Sequence, residues 1–244
     1  MAASYVGTSG WVYPHWAKRF YPEDLDKRDW FSYYSERFES VEINNSFYRL
    51  PSRETFENWR KSAPRGFHFA VKASRYITHV KKLREPAEGA GNFFRNLSGL
   101  GDRCAAVLFQ FPPAWHKNLE RLEGLFEVVP GERRLAFEFR DETWLSEDVY
   151  AVLRTNNAAV CTADSPFYPG PRVITSDFVY FRMHGGRGAR KPSYSPEELS
   201  ALAAEIDGHL RAGRDAFAYF NNDYNGYAVE DALALRKRLA EKGW

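Results

Sequence analysis

The chain has 244 residues, 44% of them hydrophobic and 27% charged, with a formal net charge of +2. That length allows one large core, and no apolar run approaches the roughly 20 residues of a membrane helix, so a globular protein without a membrane partner is expected. The mild charge neither demands nor excludes nucleic acid, and Cys104 and Cys161, each inside an apolar run, suggest neither a disulfide framework nor a zinc site.

The first β-like run is 5 to 11, YVGTSGW. The opening MAASYVGTSGW lacks the basic and apolar regions of a secretory signal, so a cytoplasmic location is expected. A helical stretch follows near 29 to 38. The run 40 to 45, SVEINN, precedes SRETFENWRKSA, where Ser52 is the expected N-cap. After 67 to 74, FHFAVKAS, comes a long connection that reads as partly helical over 89 to 101. The run 104 to 111, CAAVLFQF, leads through a Pro-Pro stop to KNLERLEGLFEVV, and 134 to 140, RLAFEFR, leads to SEDVYAVLRTNN. A proline-rich loop follows 158 to 164, AAVCTAD, so the helix after this sixth strand should be short or missing. The run 178 to 185, FVYFRMHG, leads to a helix in which Ser195, Pro196 and Glu198 fit N-cap, first-turn proline and capping-box glutamate. The last run, 215 to 223, DAFAYFNND, leads to AVEDALALRKRLAEKG. Strands alternating with helices in this way predict one α/β domain over residues 1–244, a (β/α)8 TIM-type barrel, with an open doubly wound sheet as the alternative.

In a barrel the two faces of each strand look at the outer helices and at the interior, and the more apolar set belongs outside. Val6, Val41 with Ile43, Phe69 with Val71, Val107 with Phe109, Phe137 with Phe139, Cys161 with Ala163, and Phe181 with Met183 form the helix-facing sets. The opposite sets carry Ser9 and Trp11, Glu42 and Asn44, Lys72 and Ser74, Gln110, Glu138 and Arg140, Thr162 and Asp164, Arg182 and His184. The phase of the eighth strand is ambiguous, yet it ends in Asn221, Asn222 and Asp223. Polar chemistry therefore gathers at the carboxyl ends of the strands, the catalytic face of this fold. The bland alternative is mutual neutralisation of acids and bases, but buried ion pairs are costly and a purely structural protein has little use for so many.

The motifs GTSGW, EINNSFY, KAS…ITH, QFPP, EFRDETW, YFRMHG and FNND, spread in order over nearly the whole chain, resemble the YecE-like family, domain of unknown function 72. The resemblance implies a TIM-type barrel and brings no settled reaction; a suggested kinship of such proteins to barrel endonucleases adds weight to a nucleic-acid substrate.

Acid-base catalysis by carboxylates fits the ring best, with Glu42 and Glu138 as the pair and Asp164, His184 and Lys72 as further catalytic candidates. Schiff-base chemistry would use Lys72, although an ion pair with the nearby acids is its blander role. Ser9, Trp11, Asn44, Phe47, Tyr48, His79, Gln110, Arg140, Trp144, Arg182, Arg187, Asn221 and Asn222 are the substrate-binding candidates, the aromatics by stacking on a sugar or a base. No metal ligand set is assigned and no cofactor is expected; His79, His184 and the acids leave a divalent metal open. The loop HGGRGARKPSYS, with Arg187, Arg190 and Lys191, joins Arg140 and Arg182 in favouring an anionic substrate, a nucleic acid, nucleotide or phosphorylated sugar. The expected function is a hydrolase or lyase cutting a glycosidic or phosphodiester bond. A carbohydrate-active or sugar-isomerising barrel and a non-catalytic binding barrel are the alternatives, and the oligomeric state is left unset.

Overall fold

The computed structural model describes residues 2–131, 133–165, 167–185 and 193–244. Eight strands, β1 (Ser4–Thr8), β2 (Ser40–Ile43), β3 (His68–Lys72), β4 (Cys104–Gln110), β5 (Leu135–Glu138), β6 (Ala159–Ala163), β7 (Phe178–Met183) and β8 (Asp215–Phe220), lie parallel in the order β1-β8-β7-β6-β5-β4-β3-β2. A bridge between Ser9 and Glu42 brings the two ends of that series together. The helices are α1 (Trp30–Ser35), α2 (Asn45–Tyr48), α3 (Arg53–Ser62), α4 (Pro86–Leu97), α5 (Leu119–Phe126), α6 (Glu147–Thr155), α7 (Pro196–Arg211) and α8 (Tyr227–Ala240). This is the α/β barrel that the alternation predicts.

Local signals set the helix starts. Ser52 Oγ accepts the Thr55 amide at 3.1 Å, and Ser195 and Glu198 close a reciprocal capping box ahead of Pro196. Between β6 and β7 no helix occurs among the described residues. There the chain returns along the strand, the Gly170 amide donating to Ala163 O at 2.8 Å. A Cβ on Gly170 would sit 2.4 Å from the β6 backbone, so the close approach requires glycine.

Burial follows the two faces. Val6, Val41, Ile43, Phe69, Val71, Val107, Phe109 and Phe137 join the layer between sheet and helices. Ala70, Ala106, Leu108, Ala136, Phe178, Tyr180, Phe217 and Tyr219 fill the barrel interior. Strand β6 corrects the expected phase. Cys161 belongs to the interior cluster, because it pairs with Tyr180 as Ala163 pairs with Arg182. Thr162 instead turns its hydroxyl to Pro171 O at 2.9 Å. Both faces of β6 carry small residues, so alternation alone could not set its phase. The strands also stop earlier than the sequence runs, leaving Ser9, Asn44, Arg140, Asp164, His184, Asn221 and Asn222 just past the ladder, where loop backbone aims them.

Candidate active site at the barrel mouth

The interior-facing residues at the carboxyl ends of β2, β4, β5 and β7 meet in one buried network. Glu42, Glu138 and Arg182 are 0%, 1% and 1% exposed, so charges normally kept in water lie fully inside the barrel. Arg182 serves both carboxylates, its Nη2 donating to Glu42 Oε1 at 2.8 Å and its Nη1 to Glu138 Oε2 at 2.5 Å. Glu42 also accepts from Ser9 Oγ and from the Tyr180 hydroxyl, each at 2.7 Å. Glu138 Oε1 accepts from Gln110 Nε2 at 2.6 Å and from Arg140 Nε at 3.0 Å.

This arrangement changes the roles expected of the two glutamates. Burial by itself raises a carboxyl, but Arg182 together with the Ser9 and Tyr180 hydroxyls at Glu42, and with Arg140 and Lys72 at Glu138, outweighs it and holds both glutamates below the usual carboxylate range. Both are therefore ionised at neutral pH, and the expected split into a protonated acid and an ionised base does not follow from this geometry. They act as a charged base plate that fixes Arg182 and Gln110.

Lys72 is the group that the network leaves without a countercharge. Its Nζ donates to Gln110 Oε1 at 2.8 Å and lies 4.0 Å from the centre of the Phe47 ring, and among the described residues it makes no ion pair. The Gln110 amide explains why: its nitrogen faces Glu138, so its oxygen must face the amine. Burial first, and then the nearby Arg182 charge, pull the amine from an ordinary value of 10.5 to about 7. The expected ion pair with the acids is thus replaced by a bond to a neutral amide.

Two imidazoles stand nearby in neutral form. Burial and Arg182 lower His184 to about 4, and burial and Lys72 lower His79 to about 4. Asn221 Nδ2 donates to His184 Nδ1 at 3.2 Å, so the His184 proton sits on Nε2, a buried atom with no hydrogen-bond partner among the described residues. His79 packs edge-on against Phe47, with ring centres 4.8 Å apart.

Several sequence-based candidates lie elsewhere. Asp164 Oδ1 accepts the His184 amide at 2.6 Å and its Oδ2 the Tyr194 hydroxyl, contacts that tie the end of β6 to the segments around β7. Trp144 is fully buried, stacked on Phe139 and donating Nε1 to Trp115 O at 2.5 Å, so it offers no face to a ligand. Asn222 donates to Asp231 Oδ2 on α8 at 2.7 Å, away from the network. Arg187, with Arg190 and Lys191, lies outside the described residues. Tyr48 is 76% exposed, and Trp11 walls a cleft of about 600 Å³ beside the mouth, together with Asn44, Lys27, Arg28, Phe31 and Trp59. The sequence reading missed Tyr180, which shares the interior parity of Arg182, and the cleft residues Lys27, Arg28, Phe31 and Trp59, for which strand periodicity holds no signal. Among the described residues, no group of three or more His, Cys, Asp or Glu could hold a metal ion, and no helix is long and apolar enough to cross a membrane.

A parallel eight-stranded barrel with helices between its strands and polar groups converging on its carboxyl-terminal mouth is a TIM-type α/β barrel. The chain belongs to the family described as protein of unknown function DUF72, whose model matches residues 5–244. Among curated proteins it is 25% identical to UPF0759 protein YunF of Bacillus subtilis, covering 96% of this chain and 94% of that one. It is also 28% identical to UPF0759 protein YecE of Escherichia coli K12, over 56% of this chain and 48% of that one. A crystal structure of a DUF72 family protein from Thermotoga maritima superposes with a TM-score of 0.87 at 33% identity, covering 98% and 99% of the two chains. A second, from Enterococcus faecalis, has a TM-score of 0.76 at 19% identity, over 98% of each chain, and shares the fold.

Proposed function

We propose that the barrel mouth is the active site of a lyase acting on a phosphorylated sugar, a nucleotide or the sugar of a nucleic acid, with Lys72 as the nucleophile. The observation that carries this reading is a buried amine with no carboxylate partner among the described residues, set beside two guanidiniums and titrating near neutrality. An amine titrating near 7 is present in substantial part as the free base at neutral pH, and that form attacks a carbonyl carbon; loss of water leaves an iminium on the Lys72 nitrogen. The iminium acidifies the adjacent C–H, whose proton passes to water while its electron pair forms a carbon–carbon double bond, the carbon–oxygen bond to phosphate breaks with its electron pair leaving on phosphate, and water then hydrolyses the iminium and frees the lysine. Arg140, whose side chain is partly exposed, suits the charge of such a substrate, and the Nε2–H of His184 can donate to its oxygens. Exposed aromatics on segments that follow strands, Tyr48 at 76%, Phe167 at 77% and Tyr224 at 72%, provide stacking faces for a larger ligand.

Reductive trapping tests this reading. Borohydride added with glyceraldehyde 3-phosphate, deoxyribose 5-phosphate or an oligonucleotide bearing an abasic sugar should leave a stable adduct on the Lys72 peptide by mass spectrometry, absent from Lys72→Met. No adduct with any of the three, or one that persists in Lys72→Met, would remove Lys72 as the nucleophile.

A further inference from the structure

The cleft beside the mouth lies between the segments that follow β1 and β2, and its chemistry differs from that of the charged network. One wall is aromatic: Trp11 meets Phe31 at 5.2 Å and Trp59 edge-on at 5.5 Å, and Tyr48 stands exposed at the rim. Another part of the lining is cationic. Arg28 pairs with Asp26 at 2.8 Å in an exposed ion pair, and Lys27 forms no ion pair among the described residues, its Nζ resting 5.9 Å from the Trp30 ring. Asn44 also lines the cleft, and its Oδ1 is buried without a hydrogen-bond partner among the described residues. An orphan amide oxygen is costly unless something supplies a donor, and the broad torsion of an Asn amide lets it turn toward one.

We propose that this cleft is a nucleotide-binding site in which the base packs on the Trp59 and Tyr48 side of the aromatic wall, the Asn44 amide pairs with an edge of the base, and Lys27 and Arg28 receive the phosphate. The ligand class follows from using all three features together. A carboxamide offers a donor and an acceptor in one plane, which matches the edge of a heterocyclic base. A neutral sugar would leave Lys27 without a countercharge, and a bare phosphate would leave the aromatic wall and Asn44 unused. A cavity of about 600 Å³ is in the range of small-molecule sites. Asn44 is two residues beyond Glu42, so the ligand would lie against the same strand end as the network. The site goes beyond the proposed lyase reaction and does not require that Lys72 be the reacting group.

Titration with AMP, CMP, adenosine, ribose 5-phosphate and methyl glucoside, followed by tryptophan fluorescence and calorimetry, tests the proposal. The two mononucleotides should bind at least about tenfold more tightly than nucleoside, sugar phosphate or glycoside, since each of those lacks one anchor. Asn44→Ala should weaken nucleotide binding about tenfold, the value of one hydrogen bond. The exposed Lys27→Ala/Arg28→Ala double variant should flatten its salt dependence. Ribose 5-phosphate binding as tightly as AMP, or nucleotide affinity and salt slope unchanged in both variants, would overturn the assignment. Nucleotide binding that persists while borohydride trapping fails overturns the lyase reading alone; trapping without nucleotide binding overturns this one alone.

Discussion

At the residue scale, burial beside Arg182 sets the behaviour of Lys72 and of the two glutamates in opposite directions. On the proposed reading, in which Lys72 attacks as the free base, turnover should rise with pH through about 7 and level off above it in a pH-rate profile, and Lys72→Met should show no turnover. A rate independent of pH across that region would count against an amine nucleophile. The glutamates behave in the opposite direction. Their folded-state values lie below the ordinary 4.5, so their contribution to stability is fully present above about that pH and is lost as pH falls through the lowered folded values. Glu42→Gln or Glu138→Gln leaves Arg182 buried beside a single carboxylate. Each should cost about 3 to 5 kcal/mol in urea unfolding at neutral pH, with a smaller loss on acidification than the parent protein shows. Isosteric size does not protect these substitutions, because what they remove is charge.

At the element scale, the seam between β1 and β2 is closed by close backbone approach. A Cβ on Gly7 would lie 2.1 Å from Ser40 O, and the Tyr34 hydroxyl crosses the seam to bond the Thr8 amide at 3.0 Å and Ser40 O at 3.1 Å. Gly7→Ala should therefore push the strands apart and lower stability by about 1 to 3 kcal/mol, the range of overpacked cores. Since Ser9 and Glu42 sit just above that seam, turnover in this variant should fall by more than its folded fraction accounts for. Thermal unfolding and activity measured on the same preparation would check both statements. Helix starts are more local: Ser195→Ala removes one side of a capping box and should cost about 1 kcal/mol, with no effect on ligand binding.

At the scale of the whole molecule, a net charge of +2 gives little general attraction for anions, so the proposed phosphate binding would have to rest on local placement. Arg140 and Arg182 are tied into the network, whereas Lys27 and Arg28 border the cleft, and Arg187, Arg190 and Lys191 lie in sequence after β7, outside the described residues. Replacing all three residues of that loop with alanine should flatten the salt dependence of binding to a phosphate-bearing ligand if they contact it. An unchanged slope in a filter-binding or calorimetric series would return the loop to an ordinary solvated surface.

The sequence by itself determined the barrel and its chemistry-bearing end. Period-two alternation identified the interior positions of Glu42, Lys72, Gln110, Glu138 and Arg182, and side chains on one face of successive parallel strands are bound to converge. It could not fix the phase of β6, where small residues occupy both faces, nor tell that Trp144 is enclosed by Trp115 and Phe139. Nor did it reveal that α1, its preceding turn and α3 place Phe31, Lys27, Arg28 and Trp59 around one cleft with Asn44, since strand periodicity says nothing of how helices and turns pack beside a strand end. Which charges pair was likewise a tertiary decision. Two carboxylates and three cations at one mouth can neutralise one another in several ways, and only the side-chain geometry around Arg182 and the Gln110 amide leaves the Lys72 amine without a carboxylate.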